Sequence, residues 1–178
     1  MLILIAAGLI LLTALVLRIA HVPIRHRWRR RQARTMCEQF HGPDRLWPAA
    51  RLFARVRAMD PLAFEELLLT CFERRGHKVV RNRRYTGDGG VDGRVGLHGR
   101  VWLIQAKRYD SAARPEHVRS FALLCARQRQ PGLFVHTGRT GGMSRDALIG
   151  RSGVEMLLGD RLVALLTGRP LLVGGREI

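Results

Sequence analysis

Gly87-Asp88-Gly89-Gly90-Val91-Asp92 and, further on, Ile104-Gln105-Ala106-Lys107-Arg108-Tyr109 bracket the stretch whose pattern decides the fold of this chain. Through them pass two runs, Val91 to Leu97 and Arg100 to Lys107, joined by His98-Gly99. Two such runs around a two-residue turn read as a β-hairpin. Side chains alternate along a strand, so Val101, Leu103, Gln105 and Lys107 share one face. Trp102, Ile104 and Ala106 share the other, and Trp102 reads as core. Asp88 stands among glycines and reads as turn chemistry.

Lys107 is one of two lysines in a chain with 31 basic residues. Arginine is a permanently charged planar fork, whereas lysine is a compact ammonium whose pKa moves on burial. Composition alone leaves chance as a sufficient reason for its position, so the neighbours decide. Asp92 lies on the first strand of the hairpin, and Gln105 and Lys107 lie two apart on the second. Paired strands are only about 4.8 Å apart, so a carboxylate, an amide oxygen and an ammonium converge on one patch. Oxygen ligands of this kind suit Mg²⁺, with Mn²⁺ as a substitute; Mg²⁺ takes few protein ligands and keeps several waters. A lysine beside them can hold or deprotonate a water while the metal stabilises charge on a phosphate. The rival reading is a structural Asp92–Lys107 ion pair. An exposed pair is worth about 0–1 kcal/mol and leaves the surrounding pattern unexplained. There is no GxxxxGK[ST] loop, no HExxH and no GxSxG elbow.

Working outward, Asp60-Pro61 has the form of a helix cap followed by a first-turn proline. Phe64, Leu67, Leu68, Cys71 and Phe72 recur at helical spacing, and Gly76 ends the helix. His77 to Val80 reads as a short strand. Beyond the hairpin the pattern predicts a helix from Pro115 to Gln128 and a buried strand from Gly132 to Thr137. A short helix from Ser144 to Ile149, a strand from Val154 to Leu158 and a helix from Asp160 to Leu166 follow. The order αβββαβαβα points to a three-layer α/β domain with a mixed sheet.

The chain carries a net charge of +17, which calls for an anionic partner, nucleic acid or a membrane surface. Much of that charge follows an apolar run, Met1 to Ala20, interrupted only near its end by Arg18. About 20 helical residues span a bilayer core. Nothing basic precedes the run and no small-residue cleavage site ends it, so it reads as an uncleaved anchor. The basic stretch His21 to Arg31 places the rest of the chain on the cytoplasmic face of the inner membrane by the positive-inside rule. Residues 21–58 then read as a basic connector, partly helical from Leu46 to Ala58, and residues 167–178 as a tail. Cys37, Cys71 and Cys125 are far apart with no CxxC, which argues against a disulfide framework or a thiolate zinc site. Cys71 and Cys125 read as small buried hydrophobes.

Phe64-Glu65, the Gly87–Asp92 run, Gln105-Ala106-Lys107-Arg108-Tyr109 and Phe134-Val135-His136-Thr137 follow one another in an order and spacing that resemble a known family. Together they look like the catalytic domain of Mrr-like restriction endonucleases, within the PD-(D/E)xK nuclease superfamily, over roughly Asp60 to Leu166. The resemblance implies a restriction-endonuclease-like core with a mixed β-sheet flanked by helices. It implies a metal-dependent endonuclease acting on double-stranded DNA. It makes Asp92 the metal-binding aspartate and Lys107 the catalytic lysine. Gln105 falls where most of the superfamily has Asp or Glu, and where the Mrr-like branch often has Gln. The Ala106 carbonyl would be a further metal ligand, and Glu65 the helix glutamate that supports the site. The amide at position 105 lowers the negative charge and leaves the number of metal ions open. Arg108 and Tyr109 suit phosphate contact or packing equally, and His136 carries no assigned role.

The expectation is thus a membrane-anchored nuclease: anchor 1–20, connector 21–58, nuclease domain 59–166 and tail 167–178. A homodimer is left open. The alternative is a non-catalytic DNA-binding or DNA-tethering module on the same fold. A scaffold that only docks a partner or membrane is a weaker third reading.

Overall fold

The computed structural model of the chain describes residues 8, 13, 24–41, 47–82, 90–109, 111, 113–138 and 153–178. Five helices and seven strands are placed among these residues: α1 (Ile24–Phe40), α2 (Ala49–Ala58), α3 (Pro61–Arg74), β1 (Val79–Arg81), β2 (Gly93–Leu97), β3 (Arg100–Lys107), α4 (Pro115–Gln128), β4 (Gly132–His136), β5 (Val154–Leu157), α5 (Gly159–Thr167), β6 (Leu172–Val173) and β7 (Arg176–Glu177). The expected helix at 144–149 and Asp88 lie outside the described residues, as does the apolar run 1–20 except for residues 8 and 13. Among the described residues no helix is long and apolar enough to cross a membrane, so the expected transmembrane helix has no support there.

The sheet is mixed, in the order β1-β2-β3-β4-β5. The β1–β2 and β2–β3 pairs are antiparallel, while β3–β4 and β4–β5 are parallel. The β2–β3 turn is tight because His98 and Gly99 both adopt positive φ, +50° and +76°, the geometry that matches strand twist in a two-residue hairpin. One face of the sheet is covered by α1, α3 and α5 around Ile104, Ala106, Val95 and Leu97. The other is covered by α4, whose Val118, Phe121 and Cys125 pack with Leu103 and Phe134. Trp102 belongs to the first face and Leu103 to the second, as strand alternation requires.

Helix α3 forms where its signals predict. The Asp60 carboxylate accepts from the backbone N–H of Leu62 and Ala63 at 3.0 and 3.1 Å, relieving two of the unpaired donors of the first turn. At the other end Gly76, at φ +86°, lets its own N–H reach Glu73 O and the His77 N–H reach Phe72 O.

The stretch read as a connector differs from a plain linker. Helix α1 buries Ala33, Cys37 and Phe40, and α2 buries Leu52 and Val56, all in the same core as α3 and α5. The arginines hid this pattern, because they occupy the outward positions between the apolar ones. The stretch read as a tail likewise folds back as the β6–β7 hairpin, with Leu171 and Val173 buried. Arg75 stitches it in place by donating to the carbonyls of Ala164 and Ile178, each at 2.8 Å.

Candidate active site

The end of β3 is where the site forms, because β2 stops short of it. The β2–β3 ladder closes with Gly93 opposite Ile104, so Ala106 has no ladder partner on that side. Asp92 fills the gap twice. Its N–H donates to Ile104 O at 2.8 Å, and its carboxylate accepts from the Ala106 N–H at 2.7 Å. The aspartate is thereby fixed by the backbone that carries Gln105 and Lys107.

Gln105 is buried, and its Nε2 donates to Gly90 O at 2.8 Å. A carbonyl demands a donor, so this bond also orients the amide and leaves Oε1 turned the other way. Among the described residues that Oε1 is buried with no hydrogen-bond partner, a costly arrangement unless something else takes its lone pairs. Gly90 is what permits it. Its φ is +90°, and a Cβ there would lie 2.9 Å from Gln105 Nε2.

Glu65 reaches the same place from α3. Gly93 allows the approach: a Cβ on residue 93 would meet Leu69 Cδ2 at 2.7 Å, and Leu69 lies one turn along from Glu65 on the same helix face. Burial first, and then the Asp92 carboxylate, push the Glu65 carboxyl up to about 8, against the opposing pull of Lys107. Asp92 and Lys107 therefore both act electrostatically on Glu65, in opposite directions. Glu66, its neighbour, points elsewhere: it is 3% exposed and pairs with Arg81 Nε at 2.9 Å and Arg30 Nε at 3.6 Å.

The far side of β3 is clamped. Thr137 Oγ1 donates to Tyr109 O at 2.8 Å and accepts from Tyr109 N at 3.1 Å. Tyr109 Oη meets His117 Nδ1, with the rings stacked. Arg108 donates to Met59 O at 2.8 Å and to Arg57 O, so it braces the segment joining α2 to α3. His136, opposite Lys107 in the ladder, is fully buried, and that burial lowers its pKa to about 4.

These residues fit a divalent cation. An orphaned amide oxygen, a carboxylate held by backbone and a second carboxyl kept from ionising by burial and then by Asp92 supply the oxygen donors of the site. A cation would relieve both the orphan and the repulsion. Among the described residues no group of three His, Cys, Asp or Glu side chains could hold a metal, so the amide of Gln105 and the Ala106 carbonyl would have to complete the set.

Gly90, Gly93 and Thr137 were not marked as site residues in the sequence. Their role lies in letting neighbours approach or in bonding to backbone. Only the glycine-rich run and the position of Thr137 inside a quoted motif hinted at it.

Comparison with known proteins shows the family. Residues 56–166 match the family model Mrr_cat, described as a restriction endonuclease. The chain is 29% identical over 127 residues to the type IV methyl-directed restriction enzyme EcoKMrr of Escherichia coli strain K12. The match covers 66% of this chain and 41% of that enzyme, so the chain spans about two-fifths of the relative's length. No solved structure matches.

Proposed function

The chain belongs to the restriction-endonuclease family whose catalytic domain it matches over residues 56–166, and from that premise we propose that it is a Mg²⁺-dependent DNA endonuclease anchored in the inner membrane. The observation that carries the catalytic reading is the bond that ties the Asp92 carboxylate to the Ala106 N–H, between Gln105 and Lys107 in the strand, with Glu65 in electrostatic reach of Asp92 and Lys107. A non-catalytic DNA-tethering fold has no need to bury an orphaned amide oxygen one residue from the backbone N–H that holds Asp92.

Asp92, Gln105 Oε1 and the Ala106 carbonyl would hold the metal, with Glu65 in support. A divalent cation bound there supplies charge stabilisation at a scissile phosphate. Lys107 holds the attacking water by its ammonium and brings a positive charge to the phosphate oxygens. Asp92 keeps the end of β3 in register, so that Lys107 and Gln105 stay aligned. Surrounding arginines add phosphate attraction that falls steeply with salt. One site hydrolyses one strand at a time, which is why a homodimer is the assembly proposed for cutting both.

The anchor rests on the apolar run Met1 to Ala20 and on α1 directly after it, which carries exposed Arg27, Arg31 and Arg34 and a Trp28 that is 56% exposed. Tryptophan and arginine together suit a headgroup layer. This orientation leaves the nuclease domain in the cytoplasm.

The test is nicking of supercoiled plasmid with Mg²⁺ by the wild type and by Lys107→Ala. Cleavage by the wild type and not the variant is expected. Equal behaviour of the two sinks the catalytic reading, and a band shift without cutting in both would leave the tethering module. Recovery of the full chain in the soluble fraction without detergent would remove the anchor.

A further inference from the structure

Cys37 and Cys71 are far apart in sequence, yet their sulfurs lie 3.5 Å apart where α1 crosses α3. Both are free thiols. They are not equivalent. A recess of about 180 Å³ opens beside Cys37, lined by Arg34, Cys37, Glu38, Thr70, Glu73 and Arg74. Both side chains are buried, Cys37 at 1% and Cys71 at 0% exposed, but only Cys37 lines the recess. His41 Nδ1 lies 3.6 Å from Cys37 Sγ on the next turn. The arrangement gives one sulfur a small polar entrance with two guanidinium groups and places the other directly behind it.

We propose that Cys37 and Cys71 form a peroxide-reactive dithiol, with Cys37 as the attacking sulfur and Cys71 as the resolving one. The Cys37 thiolate attacks one oxygen of hydrogen peroxide. The O–O bond breaks, hydroxide leaves and takes a proton to become water, and the sulfur is oxidised to a sulfenic acid. Cys71 sulfur then attacks the Cys37 sulfur. The S–S bond forms, the S–O bond breaks, and the departing hydroxide takes the Cys71 proton as a second water. Two thiols and one peroxide become one disulfide and two waters, and an external dithiol reverses the change. The sulfurs need to close from 3.5 Å to about 2.05 Å, a movement within reach of side-chain rotation and a small shift of α1.

The electrostatics agree with the division of labour. The hydrogen bond from Cys71 holds the Cys37 thiol below its ordinary range against the upward push of burial, with the Arg74 charge adding to the lowering, while Cys71 is pushed up by Cys37 and by burial. A lowered pKa raises the thiolate fraction that reacts. Cys125 is the internal control: it lies on the buried face of α4, and burial pushes it up to about 11. The product would staple α1 to α3, the helix that carries Glu65.

The experiment uses the full-length protein in detergent, reduced and freed of reductant, then treated with hydrogen peroxide, denatured and titrated for thiols. The three thiols are expected to fall to one, with Cys37 consumed at least tenfold faster than Cys125. Peptide mapping is expected to find Cys37 joined to Cys71, lighter by two hydrogens, and a dithiol restores all three. Cys71→Ser is expected to accumulate a Cys37 sulfenic acid that a cyclic 1,3-diketone captures. The proposal is overturned if Cys37 and Cys125 react at the same rate, if the crosslink involves other partners, or if the folded pair survives a peroxide dose that oxidises the urea-unfolded chain. These three readouts come from the wild type and stand even where the serine variant fails to fold.

Discussion

Glu65 and Glu66 are adjacent in one helix and live in opposite electrical surroundings. Glu66 is buried among arginines: Arg81 at 2.9 Å, Arg30 at 3.6 Å, with Glu73 taking a further guanidinium edge of Arg81 at 2.8 Å. Among the described residues Glu65 has no arginine partner of this kind, and burial, then the Asp92 charge, raises its pKa to about 8. The difference teaches how to tell structural from functional charge here. A chain with so much arginine has balanced the first carboxylate and left the second unbalanced beside a lysine. Burying an unbalanced acid costs stability, a cost that the proposed cation would relieve.

The most severe way to break this contrast is at Asp92. Asp92→Asn keeps an oxygen for the Ala106 N–H but removes the charge that opposes Glu65. Cleavage is expected to fall about 10³-fold, the scale of losing a charge-stabilising group, with little change in melting temperature. Plasmid nicking and thermal unfolding, run in parallel, check both halves. A variant that melts far earlier would make Asp92 structural first.

The balanced side is broken by Glu66→Ala. Arg81, whose side chain is 16% exposed, would lose a partner that is itself 4% exposed. Removing one member of a buried pair costs about 4 kcal/mol, read by urea unfolding. Activity per folded molecule is expected to stay the same, and a large loss of it would erase the distinction between the two glutamates.

His136 gives a third case, a buried group kept neutral by its surroundings. Burial holds its pKa near 4, below the ordinary 6.5, with a backbone bond at Gly138 pulling weakly the other way. Between those values the unfolded chain binds the proton and the folded one does not. Its contribution is therefore intact above pH 6.5 and is lost as pH falls toward 4, by on the order of 3 kcal/mol. His136→Gln is expected to flatten the wild-type pH dependence of unfolding in that window. Parallel curves for the two proteins would show that His136 titrates normally.

Much of this is legible in the sequence. Asp60-Pro61, Gly76, the His98-Gly99 turn and the alternation along β3 are local signals, and they specify local geometry. The spacing of Asp92, Gln105 and Lys107 is of the same kind, since strand period and hairpin register carry it. What escaped was long-range. Helix α1 reads as a basic arm because its apolar residues, Ala33, Cys37 and Phe40, are sparse among arginines, and only α3 gives them something to pack on. The Cys37–Cys71 contact escaped for that reason. Glu65 and Glu66 are indistinguishable to a composition-based reading, because which one meets arginine depends on where Gly93 lets α3 settle.

The finest cut is Glu65→Gln. With its carboxyl held up to about 8, Glu65 is mostly protonated at neutral pH when no cation is near, and glutamine copies that neutral form in size and polarity. Folding stability is therefore expected to move by no more than about 0.5 kcal/mol, as for a substitution that leaves charge and volume alone. A cation would draw the proton off Glu65 and use the resulting charge, which glutamine cannot supply. Divalent affinity should then weaken by about tenfold, equivalent to about 1.4 kcal/mol, and cleavage at limiting Mg²⁺ should fall with it and recover at saturating Mg²⁺. Metal titration of cleavage reads the shift directly. An unchanged Mg²⁺ dependence would put Glu65 outside the metal's reach and leave its raised pKa a product of burial beside Asp92 alone.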